Sequence, residues 1–373
     1  MNFARYSVKY TKRKSTMKKS LLTIFALLFF ITMASAQTAE FEVKINDRLS
    51  VGTSRAFECV ATIAHLTGFQ EYSQERDPFF YKFNDYFEQY LSDEKVKKAI
   101  LCFAQERTHG FSYDAVASFA TYVSSDCHSF RAPLDVVRKN VDSRCHELEK
   151  MLQAVADFYD AVDFDSFYQS NFSKYEEAAY AMLQNKDKLN AAVEALETYY
   201  HSKLNKVFLS VSYLNGNGNY GVSFNDGTNV YFEPKYCAGY YDSNLIVHEL
   251  SHPFSNPLVN KMVTNSKIMS YVNKTFKGEK KEIMSKMAYK DSRTYLIELF
   301  NRANTIRITS MFEDEAYVKS CMDYDKRKRF DEIEEVSELL KKYQNGNYDN
   351  IMDFYPELEK GYLEILKNNS KKK

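Results

Sequence analysis

Five consecutive residues, His248-Glu249-Leu250-Ser251-His252, carry the clearest chemistry in the chain. On a helix, positions four apart lie on one face about one turn apart, so His248 and His252 can offer two imidazole nitrogens to one cation. This geometry suits zinc. Glu249 is offset from the ligand face, where it can take a proton from a water instead of binding the metal. The chain has only seven histidines in 373 residues, which makes two at this spacing around a glutamate hard to dismiss. The bland alternative is a helix whose histidines merely pack or face solvent.

The elements that must position this motif can be read around it. Asp242 or Ser243 can cap the helix, and Leu245, Ile246 and Leu250 form its apolar stripe. Before it, Val207, Leu209, Val211 and Tyr213 alternate as in a strand and run into the turn Asn215-Gly216-Asn217-Gly218. Tyr220 to Phe224 and Asn229 to Phe232 read as two further strands around Asp226-Gly227, giving a small meander. From Arg48 to about Ser202, apolar residues recur at helical spacing, as in Phe57, Val60, Ile63 and Ala64. Asp93 predicts a capped helix containing Val96, Ala99, Ile100 and Phe103, and Ser112-Tyr113-Asp114 the start of another. Helical spacing returns after Asp242. The fold class is therefore α+β, mainly helical, with a helical region over 37–202 and a metal-binding region with C-terminal helices over 203–373. No internal repeat or low-complexity segment is evident.

The order of strands followed by a His-Glu-x-x-His helix resembles the zincin metallopeptidases. In these an edge strand beside the site typically pairs with an extended peptide. By that resemblance Asn229–Phe232 is the candidate edge, and the small sheet with the metal helix forms a zincin-like catalytic region. Pro253 directly after the second histidine departs from the pattern and should kink or end the helix early. The metzincin variant needs a glycine and a third histidine shortly afterwards, whereas Pro253-Phe254-Ser255-Asn256-Pro257 follows here. The other common solution takes a glutamate from a later helix. Glu298, in Tyr295-Leu296-Ile297-Glu298-Leu299-Phe300-Asn301-Arg302, is the choice, with Glu313 and Glu315 second; an exposed ion pair with Arg302 is its ordinary alternative. The chain then resembles a gluzincin. His65 to Tyr72, Tyr113 to Val116, His248 to Leu258 and Glu298 to Ala303 also resemble an uncharacterised family of secreted Bacteroidetes proteins filed as a domain of unknown function. That likeness supports zinc and export and implies no substrate.

The resemblance implies a zinc-dependent hydrolase with metal ligands His248, His252 and Glu298, Glu249 as general base, and a peptide or protein substrate. An ester or non-peptide amide would serve the same chemistry. The alternative from a different class is a non-catalytic secreted binding or scaffold protein that keeps a zinc helix.

Lys18-Lys19, the apolar run Leu21 to Met33 and Ala34-Ser35-Ala36 read as a signal peptide over 1–36, with Met17 a possible start. The run is too short for a permanent membrane anchor, so the mature chain should be periplasmic or extracellular. Lysine plus arginine equals aspartate plus glutamate at 50 each, giving no basic field for nucleic acid. The cysteines Cys59, Cys102, Cys127, Cys145, Cys237 and Cys321 allow up to three bridges, and free thiols fit the spacing equally well. Cys127-His128 and Cys145-His146 lack the spacing of a second zinc site. His109 and His201 have no local partners and read as structural. Tyr240 and Tyr241 are candidate oxyanion donors.

Overall fold

A computed structural model describes residues 41–73, 78–216, 218–223, 228–234 and 242–371. The signal peptide expected over 1–36, Cys237, Tyr240 and Tyr241 lie outside these residues. Strands β1 (Phe41–Lys44) and β2 (Leu49–Thr53) precede helices α1 (Arg55–Leu66), α2 (Gln70–Ser73), α3 (Pro78–Glu88), α4 (Glu94–Thr108), α5 (Asp114–Tyr122), α6 (Leu134–Asn140), α7 (Leu148–Ala161), α8 (Phe164–Leu183) and α9 (Lys186–Tyr200). Strands β3 (Lys206–Ser212), β4 (Tyr220–Ser223) and β5 (Thr228–Pro234) come next. The helices α10 (Ser243–Met262), α11 (Ser266–Thr275), α12 (Gly278–Lys286), α13 (Ser292–Thr309), α14 (Glu315–Arg327), α15 (Ile333–Gln344) and α16 (Tyr355–Lys371) follow. The architecture is α+β and mainly helical.

The strands form one mixed sheet in the order β1-β2-β3-β5-β4. β2 pairs with β3 and β3 with β5 in parallel, while β1 and β4 run antiparallel on the two edges. The expected meander holds only in part: β4 and β5 pair antiparallel as read, but β5 lies between β3 and β4, so the Asn215–Gly218 turn closes no hairpin. The physical reason lies in β3, whose residues from Val207 to Ser212 are all buried. A strand covered on both faces belongs inside a parallel sheet. β4 is buried at Tyr220 and Val222 and open at Ser223, a pattern suited to an edge. The edge beside the metal helix is thus β4, and the expected edge Asn229–Phe232 is internal.

β1 and β2 interrupt a stretch expected to be helical. Gly52 lets them pair closely, since a β-carbon there would overlap the Phe41 carbonyl. The sheet joins strands from both 37–202 and 203–373, and Ala39–Lys373 forms one compact unit.

Local signals act as expected elsewhere. Asp93 caps α4 by accepting from the amides of Lys95 at 2.7 Å and Val96 at 3.3 Å. In the stretch Leu66 to Tyr72, Gly68 takes φ +82°, and Phe69 and Tyr72 are fully buried. That stretch is packing. His201 ends α9 in the left-handed region at φ 51°, a structural place for it.

Candidate metal centre

The metal helix begins as the sequence suggests. Asp242 Oδ1 accepts from the Leu245 amide at 3.1 Å, satisfying one of the free donors of the first turn, and Tyr317 donates its hydroxyl to the same oxygen at 2.8 Å. Ile246, Val247 and Leu250 are buried. α10 does not end at Pro253 but runs to Met262 through both Pro253 and Pro257, which corrects the expected early stop. The two prolines are four apart and exposed, so the amide donors they lack fall on one solvent face, while Leu258, Val259 and Met262 continue the buried stripe.

α13 packs along α10 and carries Glu298 to the histidines. His248 Nε2 lies 3.4 Å from Glu298 Oε2 and His252 Nε2 lies 3.7 Å from Glu298 Oε1. The two imidazole planes are nearly perpendicular, at 86°, with centroids 4.9 Å apart. One ligand atom from each of the three residues lies within 4.8 Å of the others. His248 and Glu298 are each only 7% exposed. Glu298 Oε2 is buried without a hydrogen-bond partner, with Arg302 Nε at 3.6 Å beyond hydrogen-bond reach, a costly state for a carboxylate oxygen that a bound cation would relieve. Two imidazole nitrogens and a carboxylate form a donor set that fits a zinc-class divalent ion. The Glu298–Arg302 pair considered from sequence is present, but largely buried beside the ligands instead of exposed.

Neighbouring side chains hold these groups in place. Asn301 donates from Nδ2 to the His248 carbonyl at 2.9 Å and accepts from Ser255 Oγ at 2.6 Å, tying α13 to two turns of α10. His252 Nδ1 faces Asn256 Oδ1 at 3.2 Å; with Nδ1–H as donor, Nε2 keeps its lone pair toward Glu298. Arg302 Nε stands 3.6 Å from Glu298 Oε2, and its other nitrogens donate to Asp325 Oδ1 at 2.7 Å and Tyr289 OH at 3.2 Å.

The electrostatics suit ligands. Burial pushes His248 down to about 4, with Glu298 opposing, so the imidazole is neutral at physiological pH. Burial works to raise Glu298, but the facing His248, then His252 and Arg302, hold its carboxyl well below the usual range. Glu249 moves the other way. Burial first, then the charges of Glu298 and Asp114, raise it well above the ordinary carboxylate value, against the Gly221 amide and Arg302. A cation among the ligands would draw it back down.

Glu249 does not join the ligand trio. Its Oε2 accepts from the Gly221 amide of β4 at 3.1 Å, so the carboxylate is tied to the sheet edge. A β-carbon on Gly221 would overlap the Glu249 carbonyl, and glycine there is what lets β4 meet α10. Glu313 is elsewhere, accepting from Ser243 Oγ at 2.9 Å and from Lys188 Nζ at 3.2 Å at the start of α10, and Glu315 is exposed in the first turn of α14. Sequence reasoning missed Gly221, Asn256, Asp325 and Tyr289. It weighed Arg302 as an ion-pair partner of Glu298 and read Asn301 as part of the same stretch. Among the described residues Cys59, Cys102, Cys127, Cys145 and Cys321 are free thiols.

No described helix is long and apolar enough to cross a membrane. No curated protein and no solved structure matches the chain. A family model does match, over residues 96–360, which include the His248 helix and Glu298. The chain belongs to that family, described as Domain of unknown function (DUF4932).

Proposed function

We propose that this protein is an exported zinc-dependent hydrolase that cleaves peptide bonds, with His248, His252 and Glu298 as metal ligands and Glu249 as general base. The observation that carries the reading is the buried convergence of His248, His252 and Glu298 with Glu249 beside them on the same helix. Zinc bound there would supply Lewis acidity, lowering the pKa of a water and polarising a carbonyl. Glu249 is held by the Gly221 amide through one carboxylate oxygen, which leaves the other to take a proton and later return it to a leaving amine. Asn301 and Asn256 orient the two histidines.

The fold supports a gluzincin-like arrangement, since a glutamate from a second helix faces both imidazoles and an antiparallel edge strand lies beside the metal helix. β4 is the last strand of the sheet, and its Gly221 amide turns toward Glu249. An extended peptide added along β4 would pass the base. Export follows from the leader read in residues 1–36.

The test uses the chain from Gln37, loaded with zinc and presented with a peptide library. Cleavage should appear in the wild type and vanish in Glu249→Gln, which keeps the Gly221 contact and the zinc but loses the base. A Glu249→Gln variant cleaving at the wild-type rate would remove Glu249 from its role. Zinc binding without cleavage of any peptide would favour the scaffold alternative.

A further inference from the structure

Away from the His248 centre, the fold gathers a second group, a local i,i+3 pair at the end of α4 joined by a histidine from before α7. Glu106 lies in the last turn of α4, His109 caps that helix, and His146 sits just before α7. His109 Nδ1 is 4.0 Å and His146 Nδ1 3.6 Å from the Glu106 carboxylate oxygens. The two rings lie 5.1 Å apart at 74°, and one ligand atom from each of the three residues falls within 4.8 Å of the others.

We infer that Glu106, His109 and His146 form a second, solvent-facing site for a zinc-class divalent cation. The carboxylate is the unusual part. Its side chain is 3% exposed, and among the described residues its ion-pair partners are these two imidazoles, with no lysine or arginine. Lys150 is turned to Glu147 at 2.9 Å. A buried carboxylate needs a cation or a full set of donors, and among the described residues its one side-chain hydrogen bond is from the His146 amide at 2.9 Å.

The backbone favours positive charge at the same point. His109 stands at the C-terminus of α4, where the helix dipole is negative. Gly110 at φ +101° reverses the chain, and the amides of His109 and Phe111 both bond to the Glu106 carbonyl, fixing the turn that presents the imidazole. His109 and His146 side chains are 58% and 49% exposed, so ions can reach them and waters can complete the coordination. Two imidazoles and one carboxylate select zinc and neighbouring borderline ions over calcium or magnesium. Open to solvent, this site should exchange its ion faster than the buried centre.

Calorimetric zinc titration of the chain from Gln37 tests the inference. The double variant His109→Ala/His146→Ala should bind one zinc equivalent fewer than wild type. Both side chains are exposed, so the variant should fold, which circular dichroism would check. His248→Ala, run in parallel, should lose the buried site and keep the surface one, which separates this inference from the proposed function. Glu106→Gln, which keeps an oxygen for the His146 amide but removes the charge, should weaken the same equivalent. A double variant that binds as many equivalents as wild type, with unchanged affinity, would overturn the assignment.

Discussion

Asn301 offers the sharpest way to ask whether the α10–α13 contact serves the metal or only the fold. It is fully buried and bridges the His248 carbonyl and Ser255 Oγ. Asn301→Ala removes two buried hydrogen bonds at about 1 kcal/mol each and opens a small cavity, so the metal-free protein should lose about 2–4 kcal/mol in urea unfolding. Asn304 is a matched control on the same helix, also fully buried, accepting from Tyr199 OH at 2.7 Å and donating to the Phe300 carbonyl at 2.8 Å, with no hydrogen bond to α10 among the described residues. Asn304→Ala should cost a similar amount of stability. The difference should appear in zinc affinity, measured by competition with a chromogenic chelator on folded protein. Asn301→Ala frees the backbone of His248 to shift and should weaken zinc about 10- to 100-fold, as loss of a ligand's supporting group typically does. Asn304→Ala should leave affinity near wild type. Equal zinc affinities in the two variants would refute the positioning role and reduce Asn301 to packing.

Three further outcomes follow from the same geometry. Glu298→Ala should weaken zinc by orders of magnitude, whereas Glu313→Ala and Glu315→Ala, which touch the start of α10 and solvent, should leave it unchanged in the same competition assay. Gly221→Ala should push β4 from α10, costing about 1–3 kcal/mol in thermal unfolding, and should lower turnover while zinc binding stays intact. Glu58 gives a pH signature remote from the metal. Burial raises this carboxyl from 4.5 to about 7 against hydrogen bonds from Ser212, Tyr175 and Tyr213, so the native state holds a proton that the unfolded chain releases. Its contribution to stability is whole below pH 4.5 and is lost as pH rises through 7, a fall of about 3 kcal/mol. Urea midpoints at pH 5 and pH 8 should therefore differ less in Glu58→Gln than in wild type.

What could be read from sequence was what local geometry decides. The spacing of His248 and His252 fixes their common face on any helix, and the Asp242 and Asp93 caps depend on donors two or three residues away. Glu298 was readable for a different reason. Ile297, Leu299 and Phe300 around it implied burial on more than one side, and a buried carboxylate needs a cation. Contacts between distant segments were not readable in this way. His109 stands only three residues from Glu106, a local pairing the sequence reading passed over, whereas only the packing of α4 beside α7 brings His146 to them. The strand order failed for a related reason, because alternation identifies a strand without naming its neighbour. The unbroken apolar run Val207-Phe208-Leu209 was the available sign that β3 is internal.

Pro253 shows how a local departure can belong to a distant contact. Read alone, it threatens the helix just after the second ligand, since it cannot donate to the carbonyl of Glu249 four residues earlier. In the fold, that same carbonyl faces β4 at a glycine whose missing side chain leaves room for it. One residue of the edge strand thus meets both ends of Glu249: Gly221 lies against its carbonyl and donates its amide to its carboxylate. Pro253 leaves that carbonyl without its usual amide donor from the next turn, and a side chain at 221 would overlap it. Proline in the helix and glycine in the strand are therefore two parts of one contact. That contact sets the general base against the edge along which a peptide would lie.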